Sequence, residues 1–241
     1  MMAEQYAPVV QLKNLQFSWQ TGKPIVDIDE LTITQGEKVF IRGPSGSGKT
    51  TLLGLLGGVL TPQQGTVTVL NSTISEQPSS RRDSFRANHI GFIFQMFNLI
   101  PYLSVIENIT LPLNFASLRQ HRLNQQSIRP SDEAIRLLTH LGLSDRSLFN
   151  RPVTALSMGQ QQRAAAARAL IGQPEILIAD EPTSALDAKT QKAFIQLLFA
   201  ECKAAGTTLL FVSHDPALET LFDRSIVMTD INTAKAPEEA L

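Results

Sequence analysis

At 241 residues, 43% of them apolar, the chain is long enough to bury a sizeable core as one large α/β domain or two small ones. A formal net charge of −1 removes the electrostatic ground for a nucleic-acid partner, and the single cysteine, Cys202, excludes an intrachain disulfide. Met1–Pro8 carries Glu4 where a secretory leader would be basic, and the longest apolar run, Leu52–Leu60, is too short to span a bilayer, so a cytoplasmic location is expected.

Val9–Trp19 alternates apolar and polar residues and Ile25–Ile33 does so more loosely, which predicts an antiparallel sheet, joined further on by Gly65–Leu70. Between them, the apolar strand Lys38–Ile41 runs into Gly43-Pro44-Ser45-Gly46-Ser47-Gly48-Lys49-Thr50, which fits the phosphate-binding pattern G-x-x-x-x-G-K-[ST] without a mismatch. Glycines at 43, 46 and 48 let successive N–H groups turn inward. The helix expected from Lys49 through Thr51 and the leucines after it adds its positive dipole end to that anion nest. The pattern assigns Lys49 to the β- and γ-phosphates of a nucleotide and the Thr50 hydroxyl to Mg²⁺, a hard cation that takes oxygen ligands.

Ser72–Ser84 reads as a polar connector, with Arg81, Arg82 and Arg86 on a solvated face. Ile90–Phe94 reads as a short buried strand ending at Gln95. Val105 to about Leu141 turns helical, punctuated by Pro112 and Pro130, with a helix start at Ser131. From Ser157 onward helix and strand alternate: a helix to Ile171, strand Glu175–Asp180, helix Lys189–Ala205 and strand Thr207–Val212. Strands separated by helices imply parallel pairing. Thr229–Leu241 reads as a polar, frayed tail.

The strand Ile176–Asp180 ends in adjacent carboxylates at the edge where parallel sheets present ligand sites. Successive residues of an extended segment point to opposite faces, so Asp180 and Glu181 do different work. Asp180 suits Mg²⁺, directly or through water. Glu181 suits polarising a water for attack on the γ-phosphate.

Further segments extend the pattern over nearly the whole chain. Leu156-Ser157-Met158-Gly159-Gln160-Gln161-Gln162-Arg163 resembles the signature of the ABC-type ATPases, Gln95 their Q-loop, Ser184-Ala185-Leu186-Asp187 their D-loop, His214 their switch histidine and Trp19 their adenine-stacking aromatic. The resemblance implies an α/β fold of P-loop NTPase type as a single domain over 1–241, with a parallel-sheet core, an N-terminal antiparallel β-subdomain and a helical subdomain inserted at about 103–156. It implies that Ser157, Gly159 and Gln160 contact the nucleotide on the phosphate loop of a second copy, so that ATP is hydrolysed by a dimer. It also implies that Gln95 reaches Mg²⁺ and that His214 reaches the γ-phosphate. Met158 stands where the signature has glycine, which leaves its effect on hydrolysis rate open.

Gly91-Phe92-Ile93-Phe94-Gln95-Met96-Phe97-Asn98-Leu99-Ile100-Pro101, continued by Glu107-Asn108-Ile109 and Leu111-Pro112-Leu113, resembles the branch of lipoprotein-releasing and macrolide-exporting ATPases. That implies integral membrane permease subunits as partners on the cytoplasmic face of the inner membrane, with Met96, Phe97 and Leu99 as an apolar docking surface. The alternative from another class is a soluble ATPase of iron–sulfur cluster assembly.

Overall fold

In the computed structural model, which describes residues 7–184 and 186–234, the alternating N-terminal segments form strands β1 (Pro8–Gln20) and β2 (Lys23–Thr34), paired antiparallel. Leu12 lies opposite Leu31 and Leu15 opposite Ile28, and all four are buried. The two-residue period places them on one face, where each such side chain contributes about 1.5–3 kcal/mol on burial. Strand β3 (Lys38–Arg42) leads through the phosphate loop into helix α1 (Lys49–Leu56). Strand β4 (Gln64–Val69) pairs antiparallel with the other edge of β1, and the two-residue β5 (Ser72–Thr73) completes a sheet ordered β2-β1-β4-β5.

The chain divides into two compact units, Met1–Asp83 with Leu210–Leu241 and, inserted between them, Ser84–Leu209. The Ser72–Ser84 connector is more ordered than its composition suggests. It holds β5, a 3₁₀ turn at Ile74–Glu76 and the start of helix α2 (Ser79–His89). Of the three arginines read as solvated, Arg82 is half-buried and donates to the carbonyls of Gly58 at 3.2 Å and Gln77 at 2.7 Å. Both carbonyls lie outside helix and strand, where the guanidinium supplies them with a donor.

The inserted unit holds strand β6 (Ile90–Ile93), helices α3 (Val105–Thr110), α4 (Ser117–Gln125), α5 (Pro130–His140) and α6 (Met158–Leu170), strand β7 (Ile176–Asp180) and helix α7 (Ala188–Ala205). Strand β8 (Thr208–Val212) begins in it, where the Thr208 N–H donates to the Glu175 carbonyl at 2.9 Å. β6 stops one residue short of expectation and leaves Phe94 exposed. α5 starts at Pro130 rather than Ser131, because a proline at the first helical position has no N–H to leave unpaired.

β6 and β7 pair in parallel, Ile90 opposite Ile176 and Ile93 opposite Ala179. The alanine run Ala164–Ala167 with Ala169 lets the α6 backbone lie close on this pair. At Gly91 a Cβ would stand 2.2 Å from the Ala169 carbonyl oxygen. Gly91→Ala is therefore expected to push α6 off β6 and to lower unfolding stability by about 3 kcal/mol, read from denaturant midpoints at unchanged m-value.

Polar groups bind the helices of this unit to one another. Arg119 of α4 is 2% exposed and donates to the carbonyls of Asn88 at 3.3 Å and Ala169 at 3.5 Å; burial pulls its guanidinium down to about 10. Arg136 of α5 bonds both Glu133 and the buried Glu201 of α7, which hold it more firmly charged. Asn108 of α3, fully buried, accepts from the Ile100 N–H at 2.7 Å and donates to the carbonyls of Ile100, Leu103 and Ser104, so it shapes the loop before its own helix. Cys202 is buried in α7.

Back in the first unit, β9 (Arg224–Val227) pairs in parallel with β3, Val39 opposite Arg224 and Arg42 opposite Val227, and leads into the one-turn α8 (Met228–Ile231). The start of the expected frayed tail is instead fixed. Asn232 accepts from the Asp27 N–H at 2.8 Å and donates to the Ile25 carbonyl at 2.8 Å and the Ser47 carbonyl at 3.1 Å. Residues 235–241 lie outside the described residues, as do 1–6. A parallel strand pair in each unit, with helices between β6 and β7 and an antiparallel sheet within the first unit, gives the α/β fold that the sequence implies.

Candidate functional site

In the first unit the phosphate loop turns between β3 and α1. The Ser47 N–H donates to the Pro44 carbonyl at 3.3 Å, and Gly48 caps α1 in a left-handed conformation, φ +90°, where a Cβ would also meet the Ile25 carbonyl oxygen at 2.9 Å. Only glycine takes both constraints without strain. Lys49 is buried inside the loop, its ammonium donating to the carbonyls of Gly43 at 2.8 Å and Pro44 at 2.9 Å. Pro44, Ser45, Gly46 and Thr50 are exposed on the loop and helix start, whereas Thr51 is buried.

Two observations fit this loop to a phosphate. Among the described residues the buried Ser47 Oγ has no hydrogen-bond partner, and α1 begins without a side-chain cap. An orphaned hydroxyl and uncapped helix N–H groups are what an anion satisfies. The tail residue Asn232 supports the same loop through the Ser47 carbonyl. Its polarity in a polar tail gave no signal of this.

His214 is gathered to the loop's end of β3. The N–H of its neighbour Ser213 donates to the Ile41 carbonyl at 3.3 Å, two residues before Gly43. Trp19 closes β1 with its ring 63% exposed and edge-on to Phe17 at 5.0 Å, which leaves an open aromatic face.

In the inserted unit, the parallel register of β6 and β7 sends Gln95 and the Asp180–Glu181 pair out at one sheet edge. Glu181 adopts φ +46°, a conformation that a non-glycine residue holds only when its surroundings impose it, and such residues cluster at functional sites. Gln95 and Met96 form the corner of a turn closed by the Phe97 N–H to the Phe94 carbonyl at 2.9 Å. Of the expected apolar docking surface, Met96 is 80% exposed but Phe97 is 4% exposed, because its left-handed backbone, φ +58°, turns the ring into the core.

Ser157 caps α6 in a reciprocal box: its hydroxyl accepts from the Gln160 N–H, and Gln160 Oε1 accepts from the Ser157 N–H at 2.8 Å. Gln160, expected to contact nucleotide, thus has its side-chain oxygen engaged within the helix. Met158 is 55% exposed on the first turn, next to the half-buried Gly159. Of the D-loop, Asp187 caps α7 through Lys189, Thr190 and the Thr190 hydroxyl, while Ala185 lies outside the described residues. In the inserted unit Gln95 and Asp180 offer an amide and a carboxylate oxygen, and in the first unit Thr50 offers a hydroxyl, each a hard donor of the kind that Mg²⁺ takes. Among the described residues no cluster of three histidine, cysteine or carboxylate side chains could hold a softer metal.

The sequence profile described as "ABC transporter" matches residues 26–184. The chain is 37% identical over 224 residues to the "Lipoprotein-releasing system ATP-binding protein LolD" of Bacteroides fragilis, covering 93% of this chain and 99% of that one. It is 37% identical over 227 residues to the "Macrolide export ATP-binding/permease protein MacB 1" of Yersinia pestis, covering 93% of this chain and 33% of that one. Among solved structures it resembles the dimeric, post-hydrolysis state of the ATP-binding cassette MJ0796 bound to ADP and Pi, with a TM-score of 0.80 and 34% identity over 95% of this chain and 97% of that one.

Proposed function

Because this chain belongs to the ABC transporter family, in the branch of the lipoprotein-releasing and macrolide-exporting ATP-binding subunits, we propose that it is the ATP-hydrolysing motor of an exporter or envelope mechanotransmission system. Two copies close on ATP and act on separate permease subunits at the cytoplasmic face of the inner membrane. The phosphate loop carries this reading, with the Lys49 ammonium enclosed at its centre and Ser47 Oγ left without a partner among the described residues. The dimeric state of the related cassette supports self-association, and the relative named as the ATP-binding protein of a lipoprotein-releasing system supports a permease partner. The iron–sulfur assembly alternative finds no support among the relatives.

Each residue then has a distinct task. Lys49 and the loop N–H groups hold the β- and γ-phosphates, and Trp19 stacks on adenine. Glu181 accepts the proton of the attacking water, whose oxygen bonds to the γ-phosphorus as the bond to ADP breaks. His214 donates to the γ-phosphate oxygen and steadies that geometry. Ser157 and the Gly159 N–H, at the start of α6, meet the γ-phosphate held by the partner copy. Thr50, Gln95 and Asp180 would hold Mg²⁺, which when bound neutralises phosphate charge. Met158 puts a thioether where the family has glycine, close to that second nucleotide.

The test is co-purification. Tagged Glu181→Gln protein is solubilised from native membranes with ATP and Mg²⁺, conditions that hold the closed dimer on its partner. Recovery of an integral membrane protein in stoichiometric amount is expected; recovery of soluble partners alone would remove the transport reading.

A further inference from the structure

The loop beyond Gln95 is held in an unusual shape by one side chain. Phe97 and Asn98 are consecutive non-glycine residues with positive φ, +58° and +50°. The Asn98 N–H folds back to the Met96 carbonyl at 2.6 Å. This conformation is disfavoured for L residues and persists only where neighbours impose it. The neighbour is Arg168 of α6, whose guanidinium donates through Nη2 to the Phe97 carbonyl at 2.5 Å and through Nη1 to the Asn98 carbonyl at 2.6 Å.

Arg168 is the charged exception on an alanine-rich stretch, and burial lowers its pKa. Among the described residues its partners are those two carbonyls rather than a carboxylate. Holding this half-buried charge against neutral acceptors costs desolvation that no carboxylate offsets, so the two carbonyl bonds carry the contact. The planar fork matches two adjacent carbonyls that both point at it, a fit that an ammonium cannot reproduce. Beneath the clamp, the buried Phe97 ring fixes the other end of the turn whose corner is Gln95.

The same helix carries Ser157 and Gly159 at its N-terminus, about 15 Å from Arg168 at the helical rise per residue. A helix is stiff over that length. We propose that Arg168 is a positioning residue for hydrolysis: it ties the Gln95 turn to the signature helix, so that Gln95 is aligned for reaction when the start of α6 is engaged by the partner's nucleotide. The inference rests on the ATP-hydrolysing reading above. It adds a determinant that neither the phosphate loop nor the carboxylate pair contains.

The experiment is a kinetic cycle on the full chain with wild type, Arg168→Lys, Gln95→Ala and the double variant, with thermal midpoints recorded for each. Arg168→Lys keeps the charge and reaches one carbonyl, so it is expected to fold and to lower kcat about tenfold while KM for ATP changes less than about threefold. In the Gln95→Ala background the same substitution is expected to change kcat less than about twofold, because its effect passes through Gln95. Arg168→Met is expected to lower kcat further than Arg168→Lys, with KM again little changed. Equal kcat losses from Arg168→Lys in both backgrounds, or a wild-type kcat in Arg168→Lys, would overturn the proposal and leave Arg168 a structural clamp. Absence of ATP hydrolysis in the wild type, with ATP binding intact, would instead overturn the functional reading on which it stands.

Discussion

Glu181→Gln is expected to lower ATP turnover by about 10²–10⁴-fold while leaving ATP affinity within about threefold, the range associated with loss of a general base. The amide occupies the volume of the carboxylate and keeps the residue after β7 in place, so the loss falls on proton acceptance rather than on folding. With hydrolysis stalled, the ATP-loaded variant should elute from size exclusion with the mass of a dimer, whereas nucleotide-free protein elutes as a monomer. Turnover within tenfold of wild type would remove Glu181 from the base role. The left-handed backbone at Glu181 gives this prediction a second edge. Glu181→Gly should relieve the backbone cost and stabilise the turn, yet hydrolyse no faster than the glutamine variant.

Lys49→Ala is expected to weaken ATP binding at least about 100-fold, which corresponds to about 2.7 kcal/mol. Two contributions add. The ammonium's charge-assisted bonds to phosphate are lost, each worth about 1.5–3 kcal/mol. The loop also loses the bonds from Lys49 to the Gly43 and Pro44 carbonyls, which hold its curl before nucleotide arrives. Titration with a fluorescent ATP analogue measures this directly. Lys49→Arg should not restore affinity, because the buried position that admits a compact ammonium is too confined for the planar guanidinium. Binding within tenfold of wild type in Lys49→Ala would mean that the loop holds phosphate through its backbone alone.

Much of the candidate site was legible because its signals are local. The run from Gly43 to Thr50 carries its own chemistry in consecutive residues. Ser157 and Gln160 cap α6 across three residues, and the alternation in β1 and β2 names the buried face without knowledge of the partner strand. The carboxylate pair ends an apolar strand, so its placement at a sheet edge followed from the strand itself.

Other features were hidden because their partners are distant in sequence. Composition put Arg82 on a solvated face, but its acceptors include Gly58, 24 residues earlier. Phe97 read as docking surface until its positive φ turned the ring inward, a backbone state that residue identity does not encode. Asn232 supports a loop 185 residues away, and Arg168 reaches back 71 residues to Phe97.

The sequence by itself determined which chemistry this protein carries, because phosphate binding, helix capping and strand alternation depend on residues a few positions apart. Tertiary structure alone decided which polar side chains hold that chemistry in register. A buried hydrogen-bonding group takes whatever partner the fold brings to it, and that partner is set by packing rather than by chain distance.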